Sequence, residues 1–122
     1  MTAENADDVM RTLWARIDAA DWDGLRDLLA PEFRAEWVDT REMFDRESFV
    51  RVNREYPGRW FATVEEVLRD GTRAVTRTRV TDGKETYYVS SFGEVHAGKV
   101  TRLVEVWASG DATPPPDRRP KA

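Results

Sequence analysis

The stretch Glu55-Tyr56-Pro57-Gly58-Arg59-Trp60-Phe61 divides the chain into two parts with different hydrophobic periods. Before it, apolar residues recur at helical spacing; after it they alternate, and Asp-Gly pairs punctuate the runs. Pro57 cannot continue a helix, and it pushes Tyr56 toward extended backbone. Gly58 supplies the dihedral freedom for the turn into the first long strand. Two large aromatics, Tyr56 and Trp60, bracket this corner and are expected to cover the closed end of a small-molecule cavity.

Upstream, Val9, Leu13, Ile17 and Ala20, widened by Met10 and Trp14, form one helical stripe, which predicts an amphipathic helix over 4–19. Asp21-Trp22-Asp23-Gly24 breaks it and caps a short second helix with Leu25, Leu28 and Leu29 inward and Pro31 at its end. Phe33, Ala35 and Trp37 alternate with Arg34, Glu36 and Val38 as a first strand, followed by a polar loop at 39–42. Asp45, with Ser48 three residues on, reads as the cap of a third helix whose inward face carries Phe49, Val52 or Asn53, and Tyr56.

Downstream, Asp70-Gly71, Asp82-Gly83 and Ala97-Gly98 separate four alternating runs, a strong signature of an antiparallel meander. Helices first and strands after predict an α+β fold with the helices on one face of an antiparallel sheet. The tail from Ser109 contains three consecutive prolines, which favour polyproline II. The division expected is therefore a domain at 1–108 and a Pro-rich tail at 109–122.

The 122 residues suit one domain that buries very roughly two-thirds of its unfolded surface. The net charge of −4 gives no general attraction to nucleic acid or anionic membrane, so neither is an expected partner. The chain has no Cys and a single His, His96, which excludes disulfides, thiolate nucleophiles and a multi-histidine metal site within one chain. With no signal-peptide pattern and no run of about 18 apolar residues, a bacterial-type cytoplasmic location is the expectation.

Two segments resemble the NTF2-like superfamily, most closely its SnoaL-like branch. Asp21-Trp22-Asp23-Gly24-Leu25 through Leu29-Ala30-Pro31-Glu32-Phe33 is similar to that family's segment from the cap of the second helix to the start of the first strand. Gly98-Lys99-Val100-Thr101-Arg102-Leu103 through Glu105-Val106-Trp107 is similar to its final strand. The Tyr56-Pro57-Gly58-Arg59-Trp60 corner resembles one bacterial subgroup of nuclear transport factor 2 family proteins. The resemblance covers about Ala6 to Trp107 and implies a cone-shaped cavity between three helices and a bent sheet, often in a homodimer. The superfamily it points to contains ketosteroid isomerase, polyketide cyclases and limonene-epoxide hydrolase, and also binding and transport proteins. Fold alone therefore does not select a reaction.

The chain departs from the enzymes' patterns. Its only His falls at the tip of the last hairpin. The nearest match to the hydrolases' Asp-Arg-Asp network is Arg77 or Arg79 with Glu105. Val106 stands where the family usually has Tyr.

Glu105 is the foremost acid candidate, because it shares a strand face with Leu103 and Trp107, and desolvation there raises a carboxyl pKa as acid–base work requires. The alternative is a structural ion pair with a neighbouring Arg. Asp39, at the end of the first strand, is the second acid candidate and equally suits a solvated turn. Trp14, Trp37, Tyr56, Trp60 and Trp107 are expected to provide an aromatic lining, with Asn53 as an amide donor. Tyr88 and Ser90 join them if their strand face is concave; otherwise Tyr87, Val89 and Ser91 do. The arginines at 69, 73, 77 and 79 read as a cross-paired sheet face. The expectation is a binding protein for a small hydrophobic or aromatic molecule, with no metal and no cofactor. A cofactor-independent isomerase, cyclase or hydrolase and a filled-cone interaction module are the alternatives.

Overall fold

The computed structural model describes residues 5–110. Helix α1 (Ala6–Asp18) is followed by α2 (Trp22–Leu28), β1 (Leu29–Trp37), β2 (Glu42–Asp45), α3 (Arg46–Glu55), β3 (Phe61–Asp70), β4 (Arg73–Thr81), β5 (Thr86–His96) and β6 (Lys99–Ser109). The strands form one sheet in the order β2-β1-β6-β5-β4-β3, with the three helices against one face. Proline-rich sequence from residue 111 onward lies outside the described residues.

Each local element has a readable cause. Asp21 caps α2 by accepting from the Gly24 amide at 3.0 Å. Asp45 and Ser48 close a reciprocal capping box at the start of α3, so two of the first-turn donors are satisfied by side chains. The hairpin glycines Gly71, Gly83 and Gly98 all have positive φ, as tight Asp-Gly and Ala-Gly turns demand.

The core lies between α1 and the sheet, built on Val9, Met10, Leu13, Phe33, Phe49, Val89 and Leu103, each at most 1% exposed. At Gly93 the helix comes so close that a Cβ would sit 2.3 Å from Met10 Sδ. No other residue lets α1 approach the sheet there.

Four of the structure's details differ from the sequence expectations. First, a short strand β2 occupies Glu42–Asp45, hairpinned onto β1 through a turn in which Arg41 has φ 59°. Four residues, with the two apolar ones adjacent, carry no strand periodicity. Second, α2 ends at Leu28 and Pro31 lies within β1, in the stretch between Leu29 and Arg34 where register with β6 slips. A proline's missing N–H is harmless at such an irregularity.

Third, β1 runs parallel to β6, which makes an otherwise antiparallel sheet mixed. The sequence-local hairpins could only announce the antiparallel pairs. Fourth, α3 buries Phe49 and Val50, while Val52 and Asn53 are half-buried and Tyr56 is 50% exposed. Register slips between β1 and β6, β3 and β4, and β5 and β6 curve the sheet around the helices. Among the described residues, no helix is long and apolar enough to cross a membrane.

Candidate functional site

The curved sheet and the helices enclose a cavity of about 320 Å³. All five tryptophans of the chain, Trp14, Trp22, Trp37, Trp60 and Trp107, line it, together with Tyr56 and Tyr87. They reach it from α1, α2, the end of β1, the corner before β3 and the end of β6. Tyr87 enters from β5.

The corner that separates the two periodicities is pinned from outside. Arg59 donates to the carbonyls of Trp60 and Asp18, and its guanidinium lies 4.2 Å from the Phe61 ring centroid. Asp18 in turn accepts from the Ala62 amide at 2.8 Å. Within the corner Trp60 Nε1 donates to the Pro57 carbonyl at 2.8 Å, and the Trp60 ring meets Tyr56 at 6.0 Å and Tyr87 at 5.8 Å. Gly58, with φ 94°, makes the bend possible. The corner forms the rim of the cavity and not its closed end, because Tyr56, Gly58 and Arg59 are all exposed wall residues.

Glu105 is 1% exposed and is not itself part of the wall. Trp37 Nε1 donates to its Oε1 at 2.9 Å, and Ser91 Oγ donates to its Oε2 at 2.8 Å. Burial pushes its pKa from 4.5 up to about 7, against the pull of the hydrogen bonds from Ser91 and Trp37. The ion pair with Arg77 or Arg79 does not form: in β4 the buried residues are Ala74, Thr76, Thr78 and Val80, and the arginines alternate with them on the opposite face. Arg77 instead pairs with Glu65 at 3.2 Å.

Asp39 is an exposed residue of the cavity wall. Asn53 is also in the wall, and its amide nitrogen already donates to the Phe49 carbonyl of its own helix at 2.9 Å. Trp14 lines the cavity from α1, with its Nε1 donating to Thr76 Oγ1 at 3.1 Å. Tyr88 and Ser90 are not in the wall, a correction to the first of the two registers considered. Val89 and Ser91 are buried under the helices, so β5 turns Tyr87, Val89 and Ser91 inward and leaves Tyr88 37% exposed on the outer face. Trp22, which was not among the expected lining residues, is a wall residue as well. Its place at the start of a seven-residue helix gave no face preference that could have announced this.

A continuous run of ring contacts ties this wall to the core. Phe33 meets Phe49 at 5.3 Å, Phe49 meets Phe44 at 6.2 Å, Phe44 meets Trp37 at 4.8 Å and Trp37 meets Trp107 at 5.9 Å. Edge-to-face pairs of this kind add stability beyond their buried area and fix ring orientation. The lining is therefore held in place before any ligand arrives.

Comparison with known proteins agrees with the geometry. The SnoaL-like domain model matches residues 10–103. A "putative ketosteroid isomerase" from Kribbella flavida DSM 17836 is 30% identical, with a TM-score of 0.82 over 96% of this chain and 90% of that one. An NTF-2 like protein of unknown function from Burkholderia xenovorans LB400 is 16% identical, with a TM-score of 0.79 over 96% of this chain and 94% of that one. IdmH of Streptomyces antibioticus, a "putative polyketide cyclase", is 18% identical, with a TM-score of 0.76 over 85% of this chain and 92% of that one. No curated protein sequence matches. The curved sheet, the helices packed on one face of it and the match over 10–103 lead to one conclusion: the chain belongs to the SnoaL-like family of the NTF2-like superfamily.

Proposed function

We propose that this protein binds a flat, largely apolar small molecule in its cone. The observation that carries the reading is a cavity of about 320 Å³ lined by all five tryptophans. Its size falls at the lower end of small-molecule sites, and its charged wall residues, Asp39, Arg54 and Arg59, are exposed at the rim. The interior of the wall is thus aromatic and neutral. The cavity also argues against a cone filled by its own side chains.

A second reading is favoured by Glu105, whose pKa of about 7 suits a general acid or base, and by the "putative ketosteroid isomerase" 30% identical to this chain. For that reading Trp37 has to release the carboxyl and turn aside. A thermal-shift screen against steroids, polyketides, terpenes and flat aromatics tests the binding reading. At a hundredfold excess over Kd a ligand is expected to stabilise the fold by about 2.7 kcal/mol. Stabilisation by no compound class would end it. With a ketone that binds, solvent deuterium entering the position α to the carbonyl, and lost in Glu105→Gln without loss of affinity, would give preference to catalysis.

The outer sheet face supports a second copy of the chain as partner. Leu68, Val75, Phe92 and Val104 stand side by side across β3, β4, β5 and β6, continued by Met43 beyond Glu36, and Leu68, Phe92 and Met43 are exposed. A homodimer through this face is the expected result of sedimentation equilibrium, with Phe92→Glu shifting it to monomer. A wild-type monomer at all concentrations would refute it.

A further inference from the structure

Among the described residues, Glu105 is the one buried side chain that can carry a charge. Trp37 connects it to the cavity: the ring is part of the wall, and its Nε1 donates to Glu105 Oε1 at 2.9 Å. Next along the chain, the Val38 amide donates to the Glu105 carbonyl at 3.1 Å, so the end of β1 is tied to Glu105 by backbone as well. Trp107, two residues on along the same strand face, is also a wall residue and meets the Trp37 ring at 5.9 Å. The carboxyl thus stands beside two residues that a bound ligand would cover.

No charged group faces the carboxyl from the elements around it. Across the sheet, β1 sets Trp37 against it and β5 sets Ser91, whose Oγ donates to Oε2 at 2.8 Å. From the helix side, α1 buries Met10, Leu13 and Trp14, and α3 buries Phe49 and Val50. Glu36, Glu94 and Arg102 of the three strands alternate to the outer face. The charged wall residues Asp39, Arg54 and Arg59 are exposed at the rim. His96, the single histidine, pairs with Glu94 at the hairpin tip, at the far end of β5 from Tyr87.

With no cation beside it, the ionised carboxyl depends on two neutral hydrogen bonds and on the polarisability of its surroundings. The cavity is open at its rim, and a largely apolar ligand replaces water there. That change disfavours the anion and leaves the neutral acid almost unaffected. The neutral acid also fits the same atom positions: Trp37 continues to donate, and the Ser91 hydroxyl turns from donor to acceptor.

We propose that ligand uptake in the cone is coupled to protonation of Glu105 through Trp37, so that an apolar ligand enters while the carboxyl is neutral and is released as it ionises. The inference rests on the binding reading above and adds its regulation. Burial already holds the pKa of Glu105 in the free protein at about 7, and the ligand raises it further. Below both values the carboxyl is neutral with or without ligand, and affinity is whole. Affinity falls as pH rises through them and levels off above both, because a ligand that favours the proton is favoured by it equally. A further rise of about one pKa unit corresponds to a tenfold change in affinity.

The probe is 2-naphthalenemethanol, flat and uncharged at every pH used. In equilibrium dialysis with the full chain it is expected to bind about tenfold more weakly at pH 9 than at pH 5. Glu105→Gln, which resembles the neutral acid, is expected to bind at both pH values with the wild-type affinity of pH 5. A wild-type affinity that does not change with pH, or a pH dependence that persists in Glu105→Gln, would overturn the proposal and leave the binding reading standing. Absence of binding at either pH would remove the binding reading and this one with it.

The unaltered protein gives a second readout that does not depend on the variant folding. In protein carrying carbon-13 glutamate, the Cδ resonance that titrates at about 7 is expected to shift its midpoint upward when the probe is added. A midpoint indifferent to bound probe would overturn the coupling.

Discussion

The native protein should lose about 3 kcal/mol of stability as pH rises from 4.5 to above 7, and Glu105→Gln should lose far less over the same range. In the unfolded chain Glu105 ionises near 4.5; in the folded chain burial delays ionisation to about 7. Between those values the native state holds a proton that the unfolded state has released, so stability falls with rising pH. The contribution is whole below 4.5 and gone above the folded value. Burial is the dominant cause, and the groups that act on the carboxyl are Ser91 from β5 and Trp37 from β1, both uncharged.

Three carboxylates with lowered pKa values, Asp21, Asp45 and Asp82, work in the opposite sense, held down chiefly by backbone amides. Their stabilisation is lost only as pH falls below 3.8, outside the window set by Glu105. Glutamine resembles the protonated acid: its oxygen can accept from Trp37 while its amide donates to Ser91 Oγ. At pH 8 Glu105→Gln is expected to be the more stable protein, and at pH 5 the two should be close. Urea denaturation at both pH values checks this, and a variant that keeps the wild-type slope would locate the titration elsewhere.

Phe49→Ala is expected to cost about 3–5 kcal/mol, a large share of the roughly 5–15 kcal/mol that holds a domain folded. Phe49 is 1% exposed and lies in the middle of the ring series, touching Phe33 on one side and Phe44 on the other. Removing it loses the burial of a large side chain and leaves a cavity that the strands cannot close. Phe44 also loses its support, and with it the edge that orients Trp37 at 4.8 Å. Ligand affinity is therefore expected to fall together with stability. Phe49→Leu keeps most of the volume and should cost under about 1.5 kcal/mol. The urea midpoints of the two variants measure the difference, and similar midpoints would show that the ring contacts contribute little beyond general hydrophobic filling.

How far the site could be read in advance varied with the range of the interaction behind each residue. Trp14 was legible because α1 has one apolar stripe and Trp14 belongs to it. Trp37, Trp60 and Trp107 were legible as aromatics at strand ends or corners, where a curved sheet meets its helices. Tyr88 and Ser90 were not, because strand parity in β5 depends on which way a whole sheet turns, and one slip of register reverses it. Trp22 was missed as lining, and Tyr87 was offered only as the second of two registers, for the same kind of reason: nothing local states which face of a short helix or of β5 looks into the cone.

Sequence by itself determined the order of elements, the caps at Asp21 and Asp45, the hairpin turns and the corner at Tyr56-Pro57-Gly58. Those features arise from interactions between residues a few positions apart, so they are written in short patterns. Only the tertiary structure decided that β1 lies parallel to β6, that Trp37 reaches Glu105 across 68 positions of chain, and that Trp107 is left with an unpaired N–H in the wall. Pairings of that length are set by how a curved sheet closes on its helices, and a carboxyl or indole acquires its chemistry only from the neighbours that closure brings.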